Sequence, residues 1–333
     1  MSMLAAVASV TPDPAWLDVR VRSVQQEARN VRLIELQALA GELPAFEPGA
    51  HIAVDCGEGR IRHYSLCGPL DDRAVYRLGV KLEADGRGGS QWLWNHANTG
   101  AALRVSAPRN NFPLVCGKPH YLFLSGGIGV TPVIAMLDRL RDLGVRARHV
   151  HMCRTWDDLA FNQYFEENRI VHDVHVHVDA SEHGFYDLHA ELASAAPDTE
   201  VYCCGPAPMM EAVYAFAQTS GRASRFHFEF FAPPAASASA AQPGGCEFVV
   251  VQNSTGREIP VREDQTMLSA LREAGVSVQS ECEYGVCGWC ATRVLAGEPH
   301  HLDSYLTDAE RTAKNIVLPC VSRCSGGKLV LDL

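Results

Sequence analysis

The chain has 333 residues, 47% of them hydrophobic, with 29 lysines and arginines against 39 aspartates and glutamates and a formal charge of −10. That length predicts two to three domains, each able to bury its own core, and the acidic balance argues against nucleic acid or an anionic membrane as partner while permitting a basic protein. No apolar run is long enough to span a bilayer, and the first fourteen residues lack a charged n-region and an apolar core, so they read as the frayed tail of a cytoplasmic protein in which nothing demands more than a monomer.

From Trp16 to about Leu114, short alternating runs (WLDVRVRSV, VRLIELQAL, GAHIAVDC, IRHYSLCG, VYRLGVKLE) read as strands of an antiparallel barrel. One of them ends in Arg62, His63, Tyr64 and Ser65. A cation for a phosphate, an aromatic ring to pack on an isoalloxazine and a hydroxyl near its N5 are what a flavin requires. Alone the pattern reads more readily as an ordinary barrel strand with a surface arginine. GRGGS at residues 86 to 90 shifts the balance, because a glycine turn feeding the helix SQWLWNHA, with Ser90 as its N-cap, is a phosphate cradle.

From His120 to about Glu229 strand and helix alternate: HYLFLS then TPVIAMLDRLRDLG, RARHVHMC then DLAFNQYFEE, VHDVHVHVD then DLHAEL, VYCC then PMMEAVYAFAQ. That alternation predicts a parallel sheet with helices on both faces. Two junctions carry candidates. Ser125 to Pro132 offers glycines where a pyrophosphate can approach backbone at a helix start, although G-G-x-G is not the dinucleotide fingerprint and a tight structural turn is the alternative. Cys203 to Met210 forms a second such junction, and ligands of open parallel sheets bind at these strand ends. His172, His175 and His177 resemble a metal cluster, with His175 and His177 on one strand face, but strand histidines near a surface are the commoner case. His149 and His151 read the same way, and Met209 and Met210 read as core packing.

The stretch APPAASASAAQPGG at residues 232 to 245 has no side chain large enough to pack a core and reads as a linker. Beyond it, CEFVVVQ, REIPV and an amphipathic helix, TMLSALREAG, lead into SECEYGVCGWC. Cys282, Cys287 and Cys290 are spaced C-x4-C-x2-C, and Cys320 follows, which is the ligand spacing of a plant-type 2Fe-2S cluster. Gly285 and Gly288 permit the tight backbone such a loop needs. A zinc site would normally pair two short knuckles, and here its second half would be Cys320 with Cys324 as neighbour. The remaining cysteines, Cys56, Cys67, Cys116, Cys153, Cys203, Cys204, Cys246 and Cys324, read as buried thiols of a reducing compartment.

With flavin, dinucleotide and cluster motifs in this order, residues 16 to 333 closely resemble the phthalate dioxygenase reductase family, the class IA reductases of Rieske oxygenase systems; vanillate demethylase reductases are similar. The resemblance implies a flexible tail (1–14), an FMN-binding antiparallel β-barrel domain (15–114), an NAD-binding α/β parallel-sheet domain (115–231), together ferredoxin-NADP reductase-like, then the linker (232–245) and a C-terminal β-grasp ferredoxin domain (246–333). It implies FMN rather than FAD, with electrons passing from NADH through FMN to the 2Fe-2S cluster.

Carried over by position, Arg62, Tyr64 and Ser65 match the flavin motif, and Lys81, Gly88, Gly89 and Ser90 match phosphate and ring contacts. Gly127, Thr131, Cys204 and Pro206 match nicotinamide and pyrophosphate contacts. Glu229 matches the family's acidic residue, and Phe231 is placed as a flavin-facing aromatic. The ending CVSRC assigns Cys320, rather than Cys324, as fourth ligand. Trp289 departs from the family, where a small residue is usual, and would shield the cluster or form partner surface. Asp179 and Glu182 stand where NADPH-using relatives carry a cation, which favours NADH, although Arg154 can still reach a 2′-phosphate.

A hydride carries two electrons and the cluster accepts one, so a flavin must divide the pair. Ser65, Cys204 and Glu229 are expected to shape the transfer geometry. The expected acceptor is the Rieske oxygenase component of an aromatic-ring dioxygenase or demethylase. A reductase serving a cytochrome P450 or other hydroxylase is the alternative, and a redox sensor with a structural cluster is disfavoured, since a sensor needs no steady supply of hydride.

Overall fold

The computed structural model describes residues 16–84, 86, 88–182, 184–231, 246–278, 280, 283, 285, 288–303, 305–306 and 308–333. The expected tail and linker lie outside the described residues, as do Cys282 and Cys287. The chain divides into two compact units, one spanning residues 14–232 and the other residues 233–333.

The first unit opens with β1 (Trp16–Ala28), β2 (Val31–Ala38), β3 (Ala50–Asp55), β4 (Ile61–Ser65) and β5 (Val75–Lys81), then helix α1 (Gly89–His96), then β6 (Ala102–Ser106) and β7 (Arg109–Asn110). The strands are antiparallel in the order β4-β3-β6-β1-β2-β5, with β7 on β3. A bridge between Leu66 and Leu78 brings the end of β4 to β5, so the sheet curls into the expected barrel. Period-2 alternation aims Val19, Val21, Ile34, Leu36, Ile52, Val54, Leu78 and Val105 into one buried core. The structure adds β6, which the sequence runs did not single out: ALRVS buries Leu103, Val105 and Ser106, too short a pattern to stand out. Ser90 is not the N-cap of α1. Gly88, at φ 81°, takes that place in a left-handed conformation that glycine adopts cheaply, and Ser90 lies inside the first turn, its hydroxyl accepting from the Glu83 N–H at 3.1 Å.

The rest of this unit is β8 (Tyr121–Gly126), α2 (Thr131–Asp142), β9 (Arg148–Cys153), α3 (Asn162–Asn168), β10 (Asp173–Val178), α4 (Asp179–Glu182), α5 (Leu188–Ser194), β11 (Glu200–Cys204), α6 (Ala207–Thr219) and β12 (Phe226–Phe228). All pairings are parallel, in the order β10-β9-β8-β11-β12. The chain runs outward one way from β8 through β9 to β10, then returns to the other side of β8 for β11. That reversal opens a crevice between the C-terminal ends of β8 and β11. Barrel and sheet are pressed together at Gly79, where an added Cβ would lie 2.5 Å from Thr131 Cγ2 and 3.0 Å from the Phe161 ring.

The second unit holds β13 (Phe248–Gln252), β14 (Glu258–Val261), α7 (Met267–Glu273), β15 (Thr292–Ala296), β16 (Pro299–His300), α8 (Asp308–Ala313), β17 (Ile316–Val317), β18 (Arg323–Cys324) and β19 (Lys328–Leu331). β13 pairs parallel with β19 and antiparallel with β14, and β15 pairs antiparallel with β19 and β17. α7, capped by Thr266 accepting from Ser269 N–H, buries Met267, Ala270 and Leu271 against Val250, Ile259 and Leu329. A mixed sheet holding one helix is the expected β-grasp arrangement. Among the described residues no helix is long and apolar enough to cross a membrane.

Candidate functional site

β4 delivers the first group of candidates. Arg62 lies along Gly89, where an added Cβ would meet Arg62 Cγ at 2.3 Å and Nε at 2.5 Å. Only glycine leaves room for that stem, so a cation stands at the N-terminus of α1 beside its free amides, a set that fits a flavin phosphate. Arg60 approaches the same turn, 4.0 Å from the corresponding position on Gly88, and ion-pairs with Glu58 at 2.6 Å. Sequence reasoning passed over Arg60, although its place two residues before Arg62 was a signal. Lys81 is engaged with Glu83 at 2.7 Å, and the Glu83 amide in turn holds Ser90. Tyr64 packs on the barrel core. His63 stacks on His51 with ring centroids 5.2 Å apart, and burial, aided by His51 and Arg109, pushes it down to about 3, so it is neutral at pH 7.

Ser65, at the end of β4 and buried, donates to Glu229 Oε2 at 3.3 Å. Glu229 follows β12, and its own amide donates to the Cys203 carbonyl at 3.1 Å. Loss of water around this carboxyl pushes it up to about 8, against which the Ser65 hydrogen bond pulls down. Cys204 beside it is fully buried, and its thiol is driven well above the usual range by burial and then by the Glu229 charge. Three segments distant in sequence therefore present a hydroxyl, a carboxyl group pushed toward its protonated form and a neutral thiol together. Phe231, two residues on, is 47% exposed.

The two strand-to-helix junctions meet in the crevice. A Cβ on Gly129 would lie 2.2 Å from the Cys204 carbonyl oxygen, and one on Gly126 would lie 2.5 Å from Pro206 Cδ. Gly127 turns with φ 52°, and Thr131, buried, donates to the Ile128 carbonyl at 3.0 Å. The glycines thus serve close backbone approach, leaving a trough of amides at the start of α2 that fits a pyrophosphate. Below it, Ser125 Oγ sits 2.8 Å from both His149 Nε2 and His151 Nδ1. His149, His151 and His172 are buried rather than near a surface, as the sequence reading had placed them; burial pushes His151 down to about 3 and His149 well below its usual value. The backbone carbonyl of the exposed Arg154 accepts from the Ala180 amide at 3.0 Å, one residue past Asp179.

In the second unit Cys290 and Cys320 are both 3% exposed, with sulfurs 3.2 Å apart. That is too long for a disulfide bond of about 2.05 Å and about 0.6 Å short of the roughly 3.8 Å between two thiolates on one tetrahedral metal with bonds of about 2.3 Å, so a small parting of the two side chains would seat a metal. Cys324 instead accepts from the Gly326 amide at 3.4 Å, so the pair at Cys290 fits an iron ligand set through Cys320. Gly285 and Gly288 turn with φ of 74° and 75°. A Cβ on Gly285 would lie 2.9 Å from Asp303, and one on Gly288 2.0 Å from the Tyr305 ring. Asp303, which the sequence reading did not mark, is buried and accepts from the Tyr305 and Leu306 amides at 3.1 and 2.8 Å, fixing the wall against which the loop closes. Trp289 is half-buried. Among the described cysteines none is disulfide-bonded, and Cys116 and Cys246 are exposed rather than buried as expected.

Residues 123–215 match the oxidoreductase NAD-binding domain, and residues 250–325 match the 2Fe-2S iron-sulfur cluster binding domain. The chain is 39% identical to phenoxybenzoate dioxygenase subunit beta of Ectopseudomonas oleovorans over 99% of its own length and 100% of that protein. It is similar to the solved phthalate dioxygenase reductase, a modular structure for electron transfer from pyridine nucleotides to [2Fe-2S], with TM-score 0.67 and 33% identity over 96% of this chain and 98% of that one. It also matches an intact type IV self-sufficient cytochrome P450 monooxygenase with TM-score 0.78 and 34% identity, spanning 96% of this chain but only 41% of that one. The chain belongs to the phthalate dioxygenase reductase family, the NAD-dependent oxidoreductases that carry FMN, NADH and a 2Fe-2S cluster and deliver electrons to oxygenase systems.

Proposed function

We propose that this reductase takes hydride from NADH at the Ser65–Cys204–Glu229 site and feeds single electrons through Cys282, Cys287, Cys290 and Cys320 to the terminal Rieske oxygenase of an aromatic-ring dioxygenase or demethylase. FMN, when bound, would supply the two-electron to one-electron conversion that the cluster requires. Arg62, Gly88, Gly89 and Ser90 hold the phosphate end, with Lys81, Tyr64 and His63 along the ring. Gly127, Thr131 and Pro206 hold the pyrophosphate, and Asp179 accepts ribose hydroxyls where a 2′-phosphate would be repelled, with Arg154 the cation that a 2′-phosphate would have to recruit. Ser65 offers a hydroxyl whose orientation is set by Glu229, and the neutral Cys204 closes the site without a competing charge. The observation that carries the reading is the Ser65–Glu229 hydrogen bond, which joins residues 164 apart at the crevice mouth. Phe231, exposed, is available as the ring that covers the flavin face in the resting protein. The free cysteines suit a reducing cytoplasm, and a single chain holds every site named, so a monomer suffices.

Replacing Cys290 with Ser should leave NADH oxidation by a two-electron dye within about twofold of wild type while cutting reduction of cytochrome c by about a hundredfold or more. Survival of both activities would place the cluster outside the electron path. The P450 match favours a second acceptor class. Turnover with purified Rieske oxygenases and with a P450, side by side, separates the two.

A further inference from the structure

β10 is the outer strand of the nucleotide sheet, and its alternation sends His175 and His177 from the same face. Their ring centroids are 6.3 Å apart, and the Tyr186 ring lies 5.4 Å from one and 5.3 Å from the other. α4 begins at once and returns the Glu182 carboxylate to the pair, so that one ligand atom from each of His175, His177 and Glu182 falls within 4.8 Å of the others. His172 stands apart, its Nε2 bonded to the Leu137 carbonyl at 3.0 Å and its Nδ1 accepting from the Ala147 amide.

His177 is the decisive member. It is 5% exposed, and its Nε2 lies 2.8 Å from the Gly184 carbonyl and 3.4 Å from Asp179 Oδ1, so Nε2 carries a proton. Nδ1 is left as a buried lone pair. It sits 3.1 Å from Glu182 Oε2 yet makes no hydrogen bond. Two electron-rich atoms so close are unfavourable unless a cation joins them, either a metal ion or the second proton of an imidazolium. A ring nitrogen whose partner nitrogen is tied to a backbone carbonyl is also the usual arrangement of a ligating histidine.

We propose that His175, His177 and Glu182 form a binding site for a borderline divalent transition ion such as Zn2+, Co2+ or Ni2+, with water completing the coordination. Two imidazoles and a carboxylate suit that class rather than Ca2+ or Mg2+. Tetrahedral ligation at about 2.0 to 2.2 Å needs ligand atoms about 3.3 Å apart, and the exposed Glu182, on a helix of a single turn, supplies the closing movement. Occupancy would tie α4 to β10, and Asp179 opens that helix, so the ion would fix the segment assigned above to the nucleotide ribose.

The test uses the flavin- and iron-loaded full chain, freed of adventitious metal under conditions that keep its iron content, and titrated calorimetrically with ZnCl2. One site per chain with Kd below about 10 μM is expected, weakened by about tenfold or more in both His175→Ala and Glu182→Gln. Both positions are at least partly exposed, and flavin and iron content report whether each variant is intact. Unchanged zinc binding in both variants would overturn the site, the ion then sitting on thiols elsewhere. Absence of wild-type binding at about 100 μM Zn2+ would overturn it too, leaving His177 and Glu182 a simple ion pair.

Discussion

Glu229 shows what a sequence can and cannot disclose about one side chain. Its motif marks an acidic residue near the end of the nucleotide domain, but its burial, its bond to Ser65 and its raised pKa belong to three segments that only folding brings together. A carboxyl ordinarily at 4.5 and here pushed up to about 8 binds a proton more tightly folded than unfolded. Its contribution to stability is complete at low pH and is lost as pH rises between those values. In Glu229→Gln that part of the pH dependence of urea unfolding should vanish. Flavin reduction by NADH, followed by stopped-flow absorbance, should lose a transition near pH 8 in the same variant. An unchanged profile would mean that another group titrates there. The histidines teach the converse: His149 and His151 share the alternation of a surface strand, yet the neighbouring strands and Phe165 bury them completely.

At the scale of elements, the long periodic segments were legible and the punctuation was not. Alternation identified five barrel strands and four strand-helix units, because each had a face to bury. Ser90 is a good N-cap residue in isolation, but Gly88 and Gly89 ahead of it let the helix start earlier, against Arg62. The glycine junction at residues 126 to 129 read as suggestive because it lacks the dinucleotide fingerprint. Its purpose becomes visible only with Cys204 and Pro206 pressed against it from the neighbouring strand. Gly129→Ala should therefore cost about 1 to 3 kcal/mol in unfolding free energy by overpacking. It should also raise the KM for NADH several-fold with little change in flavin content. A variant with normal stability and normal KM would show that the two turns part easily.

For the whole molecule, the two compact units have separate cores, and each holds its own redox site: flavin and nucleotide groups in one, the cysteines in the other. Calorimetry should resolve two unfolding transitions. Prior removal of iron by a chelator should lower the one belonging to residues 233–333 while leaving the other in place. A single transition, shifted as a unit by iron loss, would show the two cores to be energetically coupled. Composition and motif order disclosed this division, since a stretch without large side chains separates two patterned regions.

The Ser65–Glu229 contact also has a consequence for how the protein is made. Arg62 and Gly89, the proposed phosphate contacts, both belong to the barrel, which is complete once β6 and β7 have been made, whereas the carboxyl partner of Ser65 is synthesised 164 residues after it. Closing so long a loop is slow. On the proposed assignment of Ser65 and Glu229 to the flavin ring, its secure retention becomes a late event of biogenesis, and the fraction of yellow protein in a preparation would report how many chains have docked the nucleotide sheet onto the barrel.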